Sequence, residues 1–331
     1  MIGREFTKQR ILLSSIFLII AALLYFYVNR TIMIDSLDEL EILKQIVSTR
    51  KISEEEMRRS FFSTDLSGYL EGTYEDEDFS GILMYSFLYE TRDGARVMGN
   101  ISAPVDYLEN EYPILIRNRG GSNTIRPSFD PNHLIARGTT WAPRGYIVLQ
   151  TYYRSGAYSI EGAKYDQWGG DDIYDVLTLM DISKSFSFKA DEMYMIGDSR
   201  GGMMTYMILR KNKRVDAAVS VNGVASASEY YARHSWRGAL IATGDTPMEV
   251  PQEYYKRSAV HWADEIKTPL LIMHGRLDEE VPLNQSLRVY NLMNSAGRDV
   301  TLEIFDDVGH SFTYEMGLFA HEWIQARRPQ R

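Results

Sequence analysis

Three residues far apart in the chain, Ser199, Asp278 and His310, have the types and the order that nucleophilic acyl transfer needs. A serine hydroxyl is a poor nucleophile until a base takes its proton. A histidine can take that proton and pass it to the leaving group. A carboxylate behind the histidine fixes its tautomer and stabilises the imidazolium that forms. Ser199 stands in Gly197-Asp198-Ser199-Arg200-Gly201, after the apolar run Tyr194–Ile196 and before the helix-compatible run Met203–Leu209. Strand, tight turn and helix with a serine at the apex is the context that gives G-x-S-x-G its chemical meaning. Gly197 and Gly201 keep side chains out of the turn, and Gly202 adds further room. The helix amino terminus turns free N–H groups and positive partial charge toward the serine.

Other residues compete for these roles. Asp198 adjoins Ser199 but belongs to the turn, where it cannot easily reach behind a histidine. Glu279 and Glu280 are fallback acids beside Asp278. His321 lies one helix beyond His310 and reads as a packing or surface residue, and His274 reads as a satisfied polar group at a strand end. His133, His234 and His261 have no motif around them.

The elements that must hold the three residues follow from the apolar pattern. Ile82–Tyr89 and Ala95–Ser102 read as strands joined by an Asp93-Gly94 hairpin turn. Further strands are expected at Pro113–Ile116, Gly145–Gln150, Tyr194–Ile196, Ala217–Val221, Leu270–Met273 and Thr301–Phe305, and a helix at Asp171–Ile182. Apolar strands alternating with helices predict a mainly parallel sheet covered on both faces. Asp278 and His310 then follow strands, as Ser199 does, and reactive groups gather at strand carboxyl ends in such sheets. The order Ser, Asp, His is that of the α/β-hydrolase fold.

The chain has 331 residues, a net charge of −9 and no cysteine. That excludes disulfides, thiolate metal sites and a cysteine nucleophile, and the acidic balance argues against nucleic acid as a partner. The expected chemistry needs neither a metal nor an organic cofactor. Ile11–Val28 is an apolar run of spanning length, with Arg4, Lys8 and Arg10 before it and Asp35, Asp38, Glu39 and Glu41 after it. It predicts a single transmembrane helix with the catalytic domain outside the cytoplasm. Bulky Tyr25-Phe26-Tyr27 speaks against a cleaved signal peptide. The expected organisation is a cytoplasmic terminus at 1–10, an anchor at 11–28, a charged helical connector at 29–80 and the catalytic domain at 81–331. Within the connector, Leu40, Leu43, Ile46 and Val47 recur at helical spacing. Ser53 with Glu56 has the form of a capping box, and Thr73–Phe79 is an acidic loop without calcium-ligand spacing.

From Ile82 onward the motifs resemble the prolyl oligopeptidase family of serine peptidases. They include YETRDGARVMGNISAP, NRGGS, TYYRSGAYSIEG, WGGDDIYDV, GDSRGGMMTY, RSAVHWADEI, HGRLDEEVP and VGHSF, in that order. The resemblance implies an oxyanion hole made by the Arg200 N–H and a donor from the loop after the third strand of the hydrolase sheet. Members of the family often carry a tyrosine or histidine before the loop glycine, where this chain has Arg119. The second donor is therefore either backbone N–H near Gly120 or the Arg119 guanidinium, unless Arg119 is a buried structural group. The resemblance also implies an aromatic substrate pocket at Tyr230 and Tyr231, with Tyr231 the better match. Tyr153, Trp168, Trp236 and Glu161 are further candidates. Many members carry a β-propeller, for which the stretch between the apolar run and the first strand has no room.

Two enzymatic readings remain at this stage. One is a membrane-anchored serine peptidase cleaving peptides, and the other a carboxylesterase or acyl hydrolase on the same fold. A non-catalytic scaffold is the third, opposed by the intact triad. The oligomeric state is not written in the sequence.

Overall fold

The computed structural model describes residue 37 and residues 46–63, 79–121, 132–154, 166–187, 190–211, 214–234 and 244–329. The expected membrane run 11–28 and the terminus before it lie outside the described residues, as do Glu161, Trp236 and most of the acidic loop. Among the described residues, no helix is long and apolar enough to cross a membrane.

The strands are β1 (Ile46–Lys51), β2 (Ile82–Glu90), β3 (Arg96–Pro104), β4 (Ile114–Asn118), β5 (Ile147–Thr151), β6 (Met193–Asp198), β7 (Ala217–Val221), β8 (Leu270–Gly275) and β9 (Val300–Phe305). The helices are α1 (Glu54–Ser63), α2 (Asn132–Trp141), α3 (Ile173–Ile182), α4 (Arg200–Lys211), α5 (Ala227–His234), α6 (Pro251–Lys256), α7 (Leu283–Ser295) and α8 (Tyr314–Gln325). All described strands join one sheet in the order β1-β2-β3-β5-β4-β6-β7-β8-β9. β1, β2, β3 and β5 pair antiparallel. From β5 through β9 every pairing is parallel. This is the α/β-hydrolase architecture, and β4, β5, β7 and β8 are buried along their whole length, as is β6 up to Asp198. Strands covered on both faces are predominantly apolar, which is why they read as short hydrophobic runs, with polar residues gathered at their carboxyl ends.

Two apolar clusters lie on the two faces. One takes Met57 from α1, Trp141 from α2 and Met316 and Ile324 from α8. The other takes Leu179 from α3, Met203 and Ile208 from α4, and Val289 and Met293 from α7. Most expected strands fall within two residues of their observed positions.

The connector departs from expectation. Its first predicted helix is in part a strand, since Ile46–Lys51 pairs antiparallel with β2. The helical spacing of Leu40, Leu43, Ile46 and Val47 gives way at a β-branched stretch, Ile46, Val47 and Thr49. The open edge of β2 supplies hydrogen-bond partners that a short helix would have to find in itself. The second expected helix is present as α1, and Ser53 Oγ accepts the Glu56 N–H at 3.1 Å, as its capping pattern requires.

Candidate active site

The nucleophile elbow is built by steric necessity. Ser199 has φ of +55°, a left-handed conformation that costs energy for a residue with a side chain. It is held there by its neighbours. Its N–H donates to the Val221 carbonyl at 2.8 Å, and its own carbonyl accepts from Gly202 and Val224 N–H groups at 3.0 and 3.1 Å. At Gly201 a Cβ would lie 2.1 Å from the Asn118 carbonyl oxygen, so only glycine lets α4 sit this close to the end of β4.

Asp278 and His310 are carried by loops after β8 and β9 that brace one another. The Arg276 N–H donates to the Phe305 carbonyl at 2.8 Å and the Leu277 N–H to Val308 at 2.9 Å. Asn222, at the end of β7, accepts the Gly275 N–H at 2.9 Å and donates to the Ser311 carbonyl at 2.8 Å. Three strand ends are thereby fixed in relation to one another, and the side chains they carry meet.

The three residues form a hydrogen-bonded line. His310 Nε2 lies 2.9 Å from Ser199 Oγ, and His310 Nδ1 lies 2.8 Å from Asp278 Oδ2. An ionised carboxylate only accepts, so Nδ1 carries the proton and Nε2 is free to accept from the serine. The Asp278 side chain is fully buried. Burial alone would raise its pKa, but hydrogen bonds from His274, His310 and the Val281 N–H hold it well below the usual carboxylate range. Burial would lower the pKa of His310, and the Asp278 hydrogen bond and charge outweigh it, with help from Asp198 and Glu280, so the value rises. His274 is the satisfied group expected. Its Nε2 donates to the Val281 carbonyl at 2.8 Å, Ser286 Oγ meets its Nδ1 at 2.7 Å, and its Nε2 stands 3.4 Å from Asp278 Oδ2. His321 packs edge-on against Tyr146 and bonds its hydroxyl at 3.0 Å, away from the triad.

A cleft of about 420 Å³ opens over the triad, lined in part by Arg119, Gly120, Gly121, Asp198, Ser199, Tyr230, Glu280 and His310. The Arg200 N–H belongs to the first residue of α4, where backbone donors lack intrahelical acceptors. Gly120 sits against Asp198, where a Cβ would stand 2.8 Å from Asp198 Oδ2. Arg119 is 2 % exposed, and its guanidinium donates to the Tyr152 carbonyl from Nε at 3.1 Å and Nη2 at 2.5 Å, and to the Gly120 carbonyl from Nη1 at 2.9 Å. It therefore holds backbone, as a buried structural group.

The aromatic segment also sorts itself. Tyr230 lines the cleft and stacks on Trp168, ring centroids 5.4 Å apart. Tyr231, the better match by resemblance, turns instead to the edge of Tyr254 at 5.8 Å and packs against the core. Tyr153 is buried rather than in the cleft. Several ion pairs around the site go beyond what the sequence motifs imply. Arg117 pairs with Asp198 at 2.8 Å, and Arg200 Nη1 pairs with Asp166 Oδ2 at 2.5 Å while its Nη2 meets Asp172. The available signal was charge at positions that otherwise read as apolar strand or tight turn, as with Arg117 inside β4. Among the described residues, no group of three or more histidines and carboxylates could hold a metal ion.

Comparison with known proteins agrees with this geometry. A family model described as the prolyl oligopeptidase family matches residues 132–323. The chain is 26% identical over 242 residues to the uncharacterized peptidase YuxL of Bacillus subtilis, covering 68% of this chain and 35% of that one. It is 26% identical over 237 residues to dipeptidyl-peptidase 5 of Porphyromonas gingivalis, covering 67% of this chain and 34% of that one. The chain thus spans about a third of the length of these relatives. Among solved structures, the acylaminoacyl peptidase of Pyrococcus horikoshii superposes with a TM-score of 0.63 at 22% identity, over 76% of this chain and 43% of that one.

Proposed function

Because this chain belongs to the prolyl oligopeptidase family of serine peptidases, we propose that it cleaves peptide bonds through an acyl-enzyme on Ser199. The observation that carries the reading is His310 standing 2.9 Å from Ser199 Oγ and 2.8 Å from Asp278 Oδ2. As Ser199 Oγ attacks the scissile carbonyl, its proton passes to His310 Nε2. The imidazolium is stabilised by the buried Asp278 carboxylate, and the developing oxyanion meets the Arg200 N–H. His310 then protonates the leaving amine, whose departure leaves the acyl group on Ser199. Water, deprotonated by His310, attacks the ester and frees the serine.

The relatives named as peptidases support peptide over ester substrates, and Tyr230 in the cleft wall, backed by the buried Trp168, supports an apolar side chain next to the scissile bond. The test is a panel of free and N-acylated peptide anilides beside short-chain p-nitrophenyl esters, run on the wild type and Ser199→Ala. Anilide turnover lost in Ser199→Ala supports the proposal. Ester turnover without anilide turnover makes the protein an acyl hydrolase. If a fluorophosphonate fails to label the wild type, the catalytic reading fails and a scaffold takes its place.

We further propose that residues 11–28 tether this hydrolase to a membrane with the catalytic domain on the extracytoplasmic side. The apolar run with basic residues before it and acidic residues after it supports this. Protease added to sealed, right-side-out cells should digest the domain, and full protection there overturns the placement.

A further inference from the structure

Two arginines pack against the ring of one tyrosine beside the loop that holds Gly120 and Gly121. The Arg119 and Arg200 guanidinium carbons lie 4.7 and 4.5 Å from the centre of the Tyr153 ring. Tyr153 is itself held in place. Its backbone has φ of +56°, its N–H donates to Thr151 Oγ1 at 3.0 Å, and its hydroxyl donates to the Arg119 carbonyl at 3.3 Å. Bringing two buried cations together is unfavourable, and the pKa of Arg119 drops to about 10 through burial and the Arg200 charge. Arg200 is kept charged by Asp166, which it meets at 2.5 and 2.6 Å, and by Asp172. An arrangement this costly needs a return, and each guanidinium ends on a carbonyl of the same loop. Arg119 Nη1 donates to Gly120 at 2.9 Å and Arg200 Nη1 to Gly121 at 3.1 Å.

The consequence follows from peptide geometry. The described peptide bonds include no cis form, and a trans peptide places its N–H opposite its C=O. Holding the Gly120 carbonyl toward Arg119 therefore turns the Gly121 N–H the other way. Gly121 lines the cleft, with φ of +72°, and the Asp198 carboxylate stands against the neighbouring Gly120. A Gly-Gly pair has little conformational preference of its own. We propose that Arg119, braced on Tyr153, is a positioning residue that sets the orientation of the 120–121 peptide and so fixes the Gly121 N–H as the second oxyanion donor, while Arg200 anchors the carbonyl that follows. The proposal rests on the reading of Ser199 as nucleophile. It replaces direct contact of Arg119 with substrate by an action through the backbone.

The experiment compares wild type, Arg119→Met and Arg119→Lys on p-nitrophenyl acetate, with active sites counted by the endpoint of fluorophosphonate labelling. Lysine keeps the stem and charge but cannot hold the Tyr152 and Gly120 carbonyls together. A misplaced donor should lower kcat per labelled site by about 10–100-fold, short of the ~100–1,000-fold for a donor removed outright. KM and the acid limb of the pH profile should stay where they are, since neither binding nor the His310–Asp278 pair is touched. Arg119→Lys should fall between wild type and Arg119→Met. A purely structural role would lower the melting temperature and the number of labelled sites, yet leave kcat per labelled site within about threefold of wild type, and that result overturns the proposal. If Arg119→Met does not fold, Arg119→Lys alone decides by the same criterion. Failure of the nucleophile reading looks different, because Ser199→Ala would then keep its turnover.

Discussion

Asp198 adjoins Ser199, yet its carboxylate lies 2.8 Å from Arg117 Nη2, while His310 donates its Nδ1–H to Asp278. Arg117 Nε makes no hydrogen bond among the described residues, so the pair rests on this single contact and on charge. Burial would push the Asp198 pKa up, but Arg117, Arg137, His310 and the Gly120 N–H pull it below its ordinary value. The pair thus keeps a second carboxylate near the triad ionised and braces the elbow from beneath.

Arg117→Met should leave that carboxylate without its nearest cation. Stability should fall by roughly 2 kcal/mol, less than the ~3–5 kcal/mol for breaking a fully buried pair, because the Asp198 side chain retains 21% exposure. Adding Asp198→Asn should recover part of the loss. Urea unfolding of both variants measures this, and a double mutant no better than Arg117→Met would show that charge is not the cause.

The triad was legible because each member follows an apolar strand, and the elbow because glycine brackets the serine. Arg119 was legible only as a departure, since a sequence does not say whether a guanidinium faces substrate or backbone. The edge strand β1 was hidden by a short apolar spacing that fits either period. Its pairing with β2 is a long-range contact that no local pattern encodes.

Activity should depend on pH through His310. Catalysis needs the neutral imidazole, and the folded-state pKa lies above the ordinary ~6.5, so kcat/KM should fall as pH drops through that raised value. Stability has the opposite sign. The fold favours protonated His310, so this contribution is fully present below ~6.5 and is lost as pH rises through the folded value. Asp278, whose pKa is depressed, contributes above ~3.9 and loses that contribution as pH falls through its folded value.

Asp278→Asn should lower kcat by about 10⁴, the scale known for this substitution in a serine protease triad. Its acid limb should move to lower pH, because the hydrogen bond and charge that raise His310 are gone. A pH–rate profile with an unmoved limb would mean that Asp278 does not set the imidazole.

Gly201→Ala should abolish labelling by a fluorophosphonate. Its Cβ would stand 2.1 Å from the Asn118 carbonyl oxygen and 2.9 Å from that of Arg119, both backbone atoms that cannot rotate away. The expected cost is about 3 kcal/mol or more, at the upper end for overpacking, read by thermal unfolding. Normal labelling with unchanged melting would show that α4 can slide away from β4.

Tyr230 and Tyr231 are adjacent but point to different environments, so their alanine variants should separate. Tyr230→Ala removes a cleft wall stacked on Trp168 and should raise KM for an apolar acyl group by about tenfold, roughly 1.4 kcal/mol of binding, with a loss of stability from its own core packing as well. Tyr231→Ala removes an edge contact to Tyr254 and packing against the core, and should cost about 1–2 kcal/mol of stability at unchanged KM. Helical phase explains why neighbours divide in this way. Successive residues on α5 differ in direction by about 100°, so Tyr230 reaches the cleft while Tyr231 meets Tyr254, and both also pack against the core. Steady-state kinetics on an N-acyl aliphatic or aromatic ester series, with melting curves for both variants, would decide. The opposite pattern, KM raised by Tyr231→Ala and unmoved by Tyr230→Ala, would place the substrate pocket on the other side of the helix.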